Sequence, residues 1–144
     1  MKDEPYNSDM FYKFLAWEAA TKDTIDVKRI YIDLAGDLHA GIMLSQIIYW
    51  YLPGKNGKTK LRVRRKGRLW LAKRYEDWYG EVRLTKSQSR RALGILKDKD
   101  FIITEIMRFN GTPQVHLRLN WGEFSRCLNE QLDSLVEKMD TDLC

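Results

Sequence analysis

Cysteine is scarce in this chain. The two present, Cys127 and Cys144, both fall in the last eighteen of 144 residues. That is too few and too poorly spaced for a disulfide framework or a zinc site, so reduced thiols in a cytosolic protein are expected. Long apolar runs are missing too. The longest largely apolar stretch, Ala40 to Leu52, has 13 residues and includes Ser45 and Gln46, whereas a bilayer span needs about 20. The opening Met-Lys-Asp-Glu-Pro lacks the charged-then-apolar layout of a signal peptide. A soluble protein with no membrane partner is expected. Catalytic signatures are equally thin. Gly54-Lys-Asn-Gly57-Lys-Thr has only two residues between its glycines, so it is not a phosphate loop. His39 and His116 lack metal-ligand spacing, neither cysteine sits in a nucleophile motif, and none of the 7 tyrosines has an obvious activating partner. No enzyme activity, catalytic residue, metal or cofactor is expected. Internal repeats and low-complexity tracts are also absent.

What is present is an ordinary globular composition, 44% apolar, enough for one domain with a sizeable core. The charge is unevenly placed. Residues 1–54 are net −3, residues 55–120 net +12 and residues 121–144 net −4. A basic block of that size on one module suits a binder of phosphate backbones. Its densest part, Lys55 to Arg74, holds ten basic residues and no acidic one.

Hydrophobic periodicity divides the chain into an N-terminal extension (1–36), a central domain (37–120) and a C-terminal amphipathic helix (121–144). Residues 1–8 read as a loose leader, and Met10 to Ala20 as a short amphipathic helix. Val27 to Leu34 is open: Ile30, Ile32 and Leu34 alternate as in a strand, yet a helix fits as well. Asp37 is a plausible N-cap for a helix running to Tyr51, where Pro53-Gly54 stops it. That helix is apolar on most sides and is expected to be central. Leu61–Arg65 and Arg68–Ala72 flank Lys66-Gly67 as a hairpin with Gly67 at positive φ. A short helix spans Tyr75–Val82. Thr85 and Gln88 form a capping box opening a helix to about Lys99. Phe101–Met107 and Val115–Leu119 flank the turn Phe109–Pro113. Asn120 and Glu123 suggest another capping box, followed by a stripe of Trp121, Phe124, Leu128, Leu132, Leu135 and Met139.

The fold class expected is α+β: a winged helix-turn-helix with an N-terminal helical extension, an added basic hairpin strand and a C-terminal amphipathic helix. A helix pair followed by a two-stranded wing is the layout that sets one helix into a DNA major groove. On the second helix of the pair, Ser89, Ala92, Leu93 and Leu96 share the inward face. Ser87, Arg90, Arg91, Gly94 and Asp98 share the outward, reading face, with Lys86 on its flank. Arginine forks onto guanine and serine bonds bases or phosphate, so Lys86, Ser87, Arg90 and Arg91 are candidate DNA contacts. The turn adds Arg108, Asn110 and Thr112. The hairpin adds Arg62, Arg64, Arg65, Lys66, Arg68, Lys73 and Arg74 as backbone contacts, around a Trp70 expected in the core opposite Val63. The distal half of the last helix (Leu128, Leu132, Leu135, Met139) is expected to bind a second copy or a partner, with Trp121 leading the turns that dock on the body.

Residues 37–121 resemble the winged-helix replication proteins of phages and mobile elements of Gram-positive bacteria, those with replisome-organiser or DnaD-like N-terminal domains. Carrying the resemblance are Asp37-Leu-His-Ala-Gly-Ile-Met-Leu-Ser-Gln-Ile-Ile-Tyr-Trp50, Leu69-Trp-Leu-Ala-Lys73 with Glu76-Asp77-Trp78, Leu84-Thr-Lys-Ser-Gln-Ser-Arg-Arg-Ala-Leu93 and His116-Leu-Arg-Leu-Asn120. It covers roughly 60% of the chain. The helix-turn-helix part is generic to winged helices, while Asp37–Trp50 is more distinctive. The resemblance implies a non-enzymatic DNA-binding protein in the cytoplasm of a bacterial host, acting in replication initiation or its regulation, with duplex DNA as the favoured nucleic acid. The alternative is a protein-interaction module on the same scaffold: a host-takeover or anti-defence protein, or a replisome adaptor, bound to a replication or defence protein. Proteins of this type usually carry glycine after the recognition helix, where Asp100 stands here.

Overall fold

The computed structural model describes residues 7–143, with side chains as far as 140. The leader expected at residues 1–8 thus lies outside the described residues up to residue 6, as does Cys144. The chain is a mixed α+β protein with one four-stranded antiparallel sheet. Its elements are α1 (Ser8–Ala20), α2 (Arg29–Ala35), α3 (Leu38–Tyr51), β1 (Val63–Arg65), β2 (Arg68–Ala72), a 3₁₀ turn (Tyr75–Trp78) continuing into α4 (Tyr79–Val82), α5 (Lys86–Asp98), β3 (Ile102–Phe109), β4 (Thr112–Leu119) and α6 (Trp121–Leu143). The strands lie in the order β1-β2-β4-β3.

α3 is the central helix. Asp37 caps it, its carboxylate accepting the Ala40 N–H at 3.0 Å, and Met43, Leu44 and Ile47 are fully buried. Its ends are more open than an all-round apolar helix suggests, for Leu38, Tyr49 and Leu52 are exposed. The open segment before it is a helix, α2, ended by Gly36 at φ 72°. Proximity to α3 explains the choice. A Cβ on Gly41 would stand 2.6 Å from the Ile32 Cα, so the two helices touch backbone to backbone, which a glycine on a helix face permits.

On α5 the expected capping box is formed: Thr85 Oγ1 accepts from the Gln88 N–H, and Gln88 Oε1 from the Thr85 N–H. Ser89, Ala92, Leu93 and Leu96 are the buried face, as their spacing predicts. The helix ends in a left-handed residue, Asp100 at φ 60°. The Phe101 N–H bonds the Leu96 carbonyl, and the Asp100 N–H that of Lys97. These are the two bonds of a Schellman motif, closed by the buried pair Leu96 and Phe101.

The β1–β2 turn has Lys66 and Gly67 both at positive φ, the two-residue turn whose twist matches the flanking strands. Val63 pairs with Trp70, and Trp70 is buried as expected, its indole N–H bonding the Arg65 carbonyl. The β3–β4 ladder is longer than expected, running without interruption to Phe109↔Thr112. Pro113 fits because β2 pairs with β4 only at Leu117 and His116, leaving β4 an unshared edge at that point.

Alternation puts Leu71, Ile102 and Leu117 on the helix-facing side of the sheet, all buried. Trp70, His116 and Arg118 lie on the other side, where Arg118 stacks on the Trp70 ring. Lys66 reaches over β4 to Glu105 on β3, at 2.5 Å. The hairpin therefore leans across the outer side of the sheet, which accounts for a fully buried His116. His116 Nδ1 lies 2.9 Å from the Gln114 carbonyl, so that nitrogen is the donor.

α6 returns to the body, but not as its spacing suggests. Phe124 is the anchor, edge-on to Phe101, whereas Trp121, expected to lead the docking, is 65% exposed. The capping box expected at Asn120 and Glu123 is also replaced. The Asn120 N–H goes to the Phe101 carbonyl and its amide to that of Asp100, while Glu123 pairs with Arg126.

Candidate nucleic-acid interface

α5 is held from both sides, and its outer face is bare. Lys86, Ser87, Arg90, Arg91 and Gly94 are all exposed. Arg90 lies over the Tyr75 ring, 5.0 Å from its centroid, which fixes the guanidinium near the start of the 3₁₀ turn. Arg91 behaves differently. It forks onto Asp37, with contacts of 2.6 and 3.2 Å, tying α5 to the cap of α3. The Arg91 hydrogen bonds, then the Ala40 N–H, hold the Asp37 carboxyl at about 2, below its usual 3.8. Arg91 is thus a tether within the fold, and a base-reading role for it requires that this fork open.

Between α5 and β3 runs a groove of about 520 Å³ whose lining includes Tyr75, Arg90, Gly94, Lys97, Glu105 and Ile106. Ile106 is 74% exposed on its floor. Arg108 follows Ile106 by two positions on the same side of β3, so the β3–β4 tip and the outer face of α5 border one surface. That tip, Asn110-Gly111, has both residues at positive φ, and Arg108, Asn110 and Thr112 are exposed. The structure therefore brings Arg90 of α5 to the groove beside Ile106, leaves Lys86 and Ser87 exposed at the start of that helix and Asn110 exposed at the strand tip, and turns Thr112, opposite Phe109, to the other side of the ladder from Arg108. Lys97 and the ring of Tyr75 line the groove with Arg90; the outward spacing of Lys97 was readable in the sequence, whereas the placement of Tyr75 depends on the 3₁₀ turn packing on α5.

The hairpin arginines belong to the other end of the strand order, β1 being one edge of the sheet and β3, beside α5, the other. The hairpin leans back across it, however: Lys66 at its turn reaches Glu105 of β3, which also lines the groove beside α5. Arg64 and Arg68 are exposed there, and among the described residues neither has a carboxylate partner. The others are partly engaged. Arg62 bonds the Thr59 carbonyl at 2.7 Å, Arg65 that of Arg64 at 3.0 Å, and Lys66 pairs with Glu105.

Lys73 and Arg74 are both engaged within the fold. The Lys73 side chain, 18% exposed, is 2.6 Å from Glu81 and lies over the rings of Trp50 and Trp78. Glu81 also accepts from Gln46 and Trp50 at 2.7 and 2.8 Å. This half-buried network locks α4 onto α3, and Lys73 neutralises the carboxylate at its centre. Arg74 caps the 3₁₀ turn, its own N–H and its guanidinium both meeting Asp77. Strand parity says which side of the chain a residue faces, not that an acid waits there, so neither engagement was visible in the sequence.

On α6, Leu128 packs against the body's own core and leaves the expected outer interface. Leu132, Leu135 and Met139 are exposed beyond it. Among the described residues, no three His, Cys, Asp or Glu side chains form a metal-holding group, and no helix is long and apolar enough to cross a membrane. Comparison with protein-family models, curated proteins and solved structures gave no match.

Proposed function

We propose that this chain is a winged-helix DNA-binding protein of a phage or mobile element, acting in replication initiation or its control, with α5 as the helix that enters the major groove. The observation that carries the reading is the outer face of α5. It presents Lys86, Ser87 and Arg90 to solvent, with Arg108 exposed on the strand that shares its groove, and no acidic side chain of α5 lies before Asp98. The element order supports it as well: helix, strand, helix, helix and two strands, with the sheet order β2-β4-β3 to which β1 is an added edge.

The test is fluorescence anisotropy with random duplex and single-stranded DNA at two salt concentrations. Phosphate-dominated duplex binding makes log affinity fall against log salt with a slope of about −0.9 per phosphate met, so roughly five contacts give about −4 to −5. No duplex binding at about 50 mM salt overturns the reading. A second reading, a protein-docking module, is favoured by one feature: an exposed Ile106 in a groove lined by Arg90 and Lys97, whose Glu105 is already paired with Lys66, suits an amphipathic segment better than it suits phosphate alone.

A further inference from the structure

α1 is a helix with no buried residue, although it is built largely of bulky apolar groups. Met10 is 68% and Trp17 62% exposed, and Tyr12, Phe14 and Leu15 also face outward. Thirteen residues make a marginal helix in water by themselves, and apolar surface on this scale marks a docking face. Thr21 to Lys28, which has no helix or strand, joins α1 to the body. That arm is fixed at Asp26, whose carbonyl accepts the Ser45 hydroxyl at 2.8 Å. The distal part of α6 is the second bare stripe: Leu132, Leu135, Val136 and Met139 are all at least 43% exposed.

We propose that these two stripes cover each other between two copies of the chain, α1 of each lying along the distal α6 of the other. Three observations favour this occupant, and none of them depends on the DNA-binding reading. The stripes match in pattern and length: Met10, Phe14 and Trp17 repeat the spacing of the exposed Leu132, Val136 and Met139, and both stripes are about 10 Å long. The surface available also fits. At about 200 Å² for a large side chain, a little over half of it exposed, the seven side chains Met10, Phe14, Trp17, Leu132, Leu135, Val136 and Met139 offer roughly 750 Å² per chain, close to the ~800 Å² each partner contributes to a stable interface. Finally, charge opposes pairing α6 with itself. From 128 to 140 it carries Glu130, Asp133, Glu137 and Asp140 against Lys138 alone, so two such helices would set acid against acid. α1, with Asp9, Glu18 and Lys13, is nearly neutral. Reciprocal exchange of α1 gives a closed two-fold dimer in which each copy uses both stripes.

The experiment is sedimentation of full-length chains at about 100 μM. One variant carries Phe14→Asp with Trp17→Asp; the other carries Leu132→Asp with Leu135→Asp. The wild type should sediment as a dimer and each variant alone as a monomer. An equimolar mixture should regain a two-chain species, because one variant keeps its α6 stripe and the other its α1 stripe. With one seam of two, that complex should be at least tenfold weaker than the wild type. Far-ultraviolet spectra and melting curves establish that the body is folded, and a chain lacking residues 1–20, whose described residues 7–20 are all exposed, substitutes for the first variant if it misfolds. A monomeric wild type, a first variant that stays dimeric, or a mixture that stays monomeric overturns the proposal.

Discussion

Asp100 holds a left-handed conformation that costs a side-chain-bearing residue roughly 1 kcal/mol, and its side chain contributes nothing to the motif it closes. Its N–H bonds the Lys97 carbonyl and its own carbonyl takes the Asn120 amide, contacts that any residue supplies. Asp100→Gly should therefore stabilise the protein by about 0.5–1 kcal/mol, read from urea unfolding; a loss of stability would show that the carboxylate has a partner or role the geometry lacks. Asp37 makes the opposite case. Its folded pKa is about 2, below the ordinary 3.8, so its carboxylate stabilises the fold fully above about pH 4, and that contribution is lost as pH falls through 2. Asn at this position still caps a helix but cannot pair with Arg91. Asp37→Asn should thus flatten the decline of melting temperature between pH 4 and pH 2, and identical slopes for the two proteins would remove Asp37 from the acid response. Residues such as these also mark where sequence reading stops. The Arg91–Asp37 fork joins positions 54 apart, and the turning of Lys73 toward Glu81 depends on where α4 packs. Neither leaves a local trace.

Elements were more legible than their contacts. The α5 faces follow from its strong period, and the hairpin from Lys66-Gly67. α2 was ambiguous because seven residues span barely two turns, too few to separate a period of 3.6 from one of 2; the contact with Gly41 decided it. The β3–β4 ladder was cut short in the sequence because Pro113 and the polar side chains near it look like a loop. Two helix glycines provide a test at this scale. A methyl group on Gly41 meets Ile32 at 2.6 Å, whereas one on Gly94 meets nothing within 4 Å. Gly41→Ala should cost about 1–3 kcal/mol through overpacking, while Gly94→Ala should stabilise by up to about 1 kcal/mol through helix propensity. If α5 approaches a duplex closely, Gly94→Ala should weaken DNA binding even as the protein becomes more stable. Denaturant curves and anisotropy on the same two samples separate those effects, and equal signs of stability change at the two sites would refute the packing account.

Across the whole molecule the cations of α5 and of the hairpin sit on elements at opposite ends of the strand order, bridged where Lys66 reaches Glu105, an arrangement that charge counting could not reveal. Arg90→Ala should lower affinity for a preferred duplex by about 1–3 kcal/mol and for random DNA by much less, if Arg90 reads a base. Arg64→Ala and Arg68→Ala, on the hairpin, should weaken both duplexes alike or neither. Equal losses on both duplexes from all three changes, measured by anisotropy, would mean that the protein reads no sequence and that the hairpin and α5 act as one electrostatic surface.

The placement of α1 has a consequence for how the protein is made. α1 precedes the body in the chain, so it leaves the ribosome first, and no element translated after it in the same chain covers it. Its bulky side chains stay in water while the sheet and α3 close behind them. In the proposed exchange what shelters them comes from a second copy, and the nearest supply of an α6 stripe is the copy released by the preceding ribosome on the same message. Assembly would then begin at the polysome, and the yield of correctly made protein would depend on how closely ribosomes follow one another.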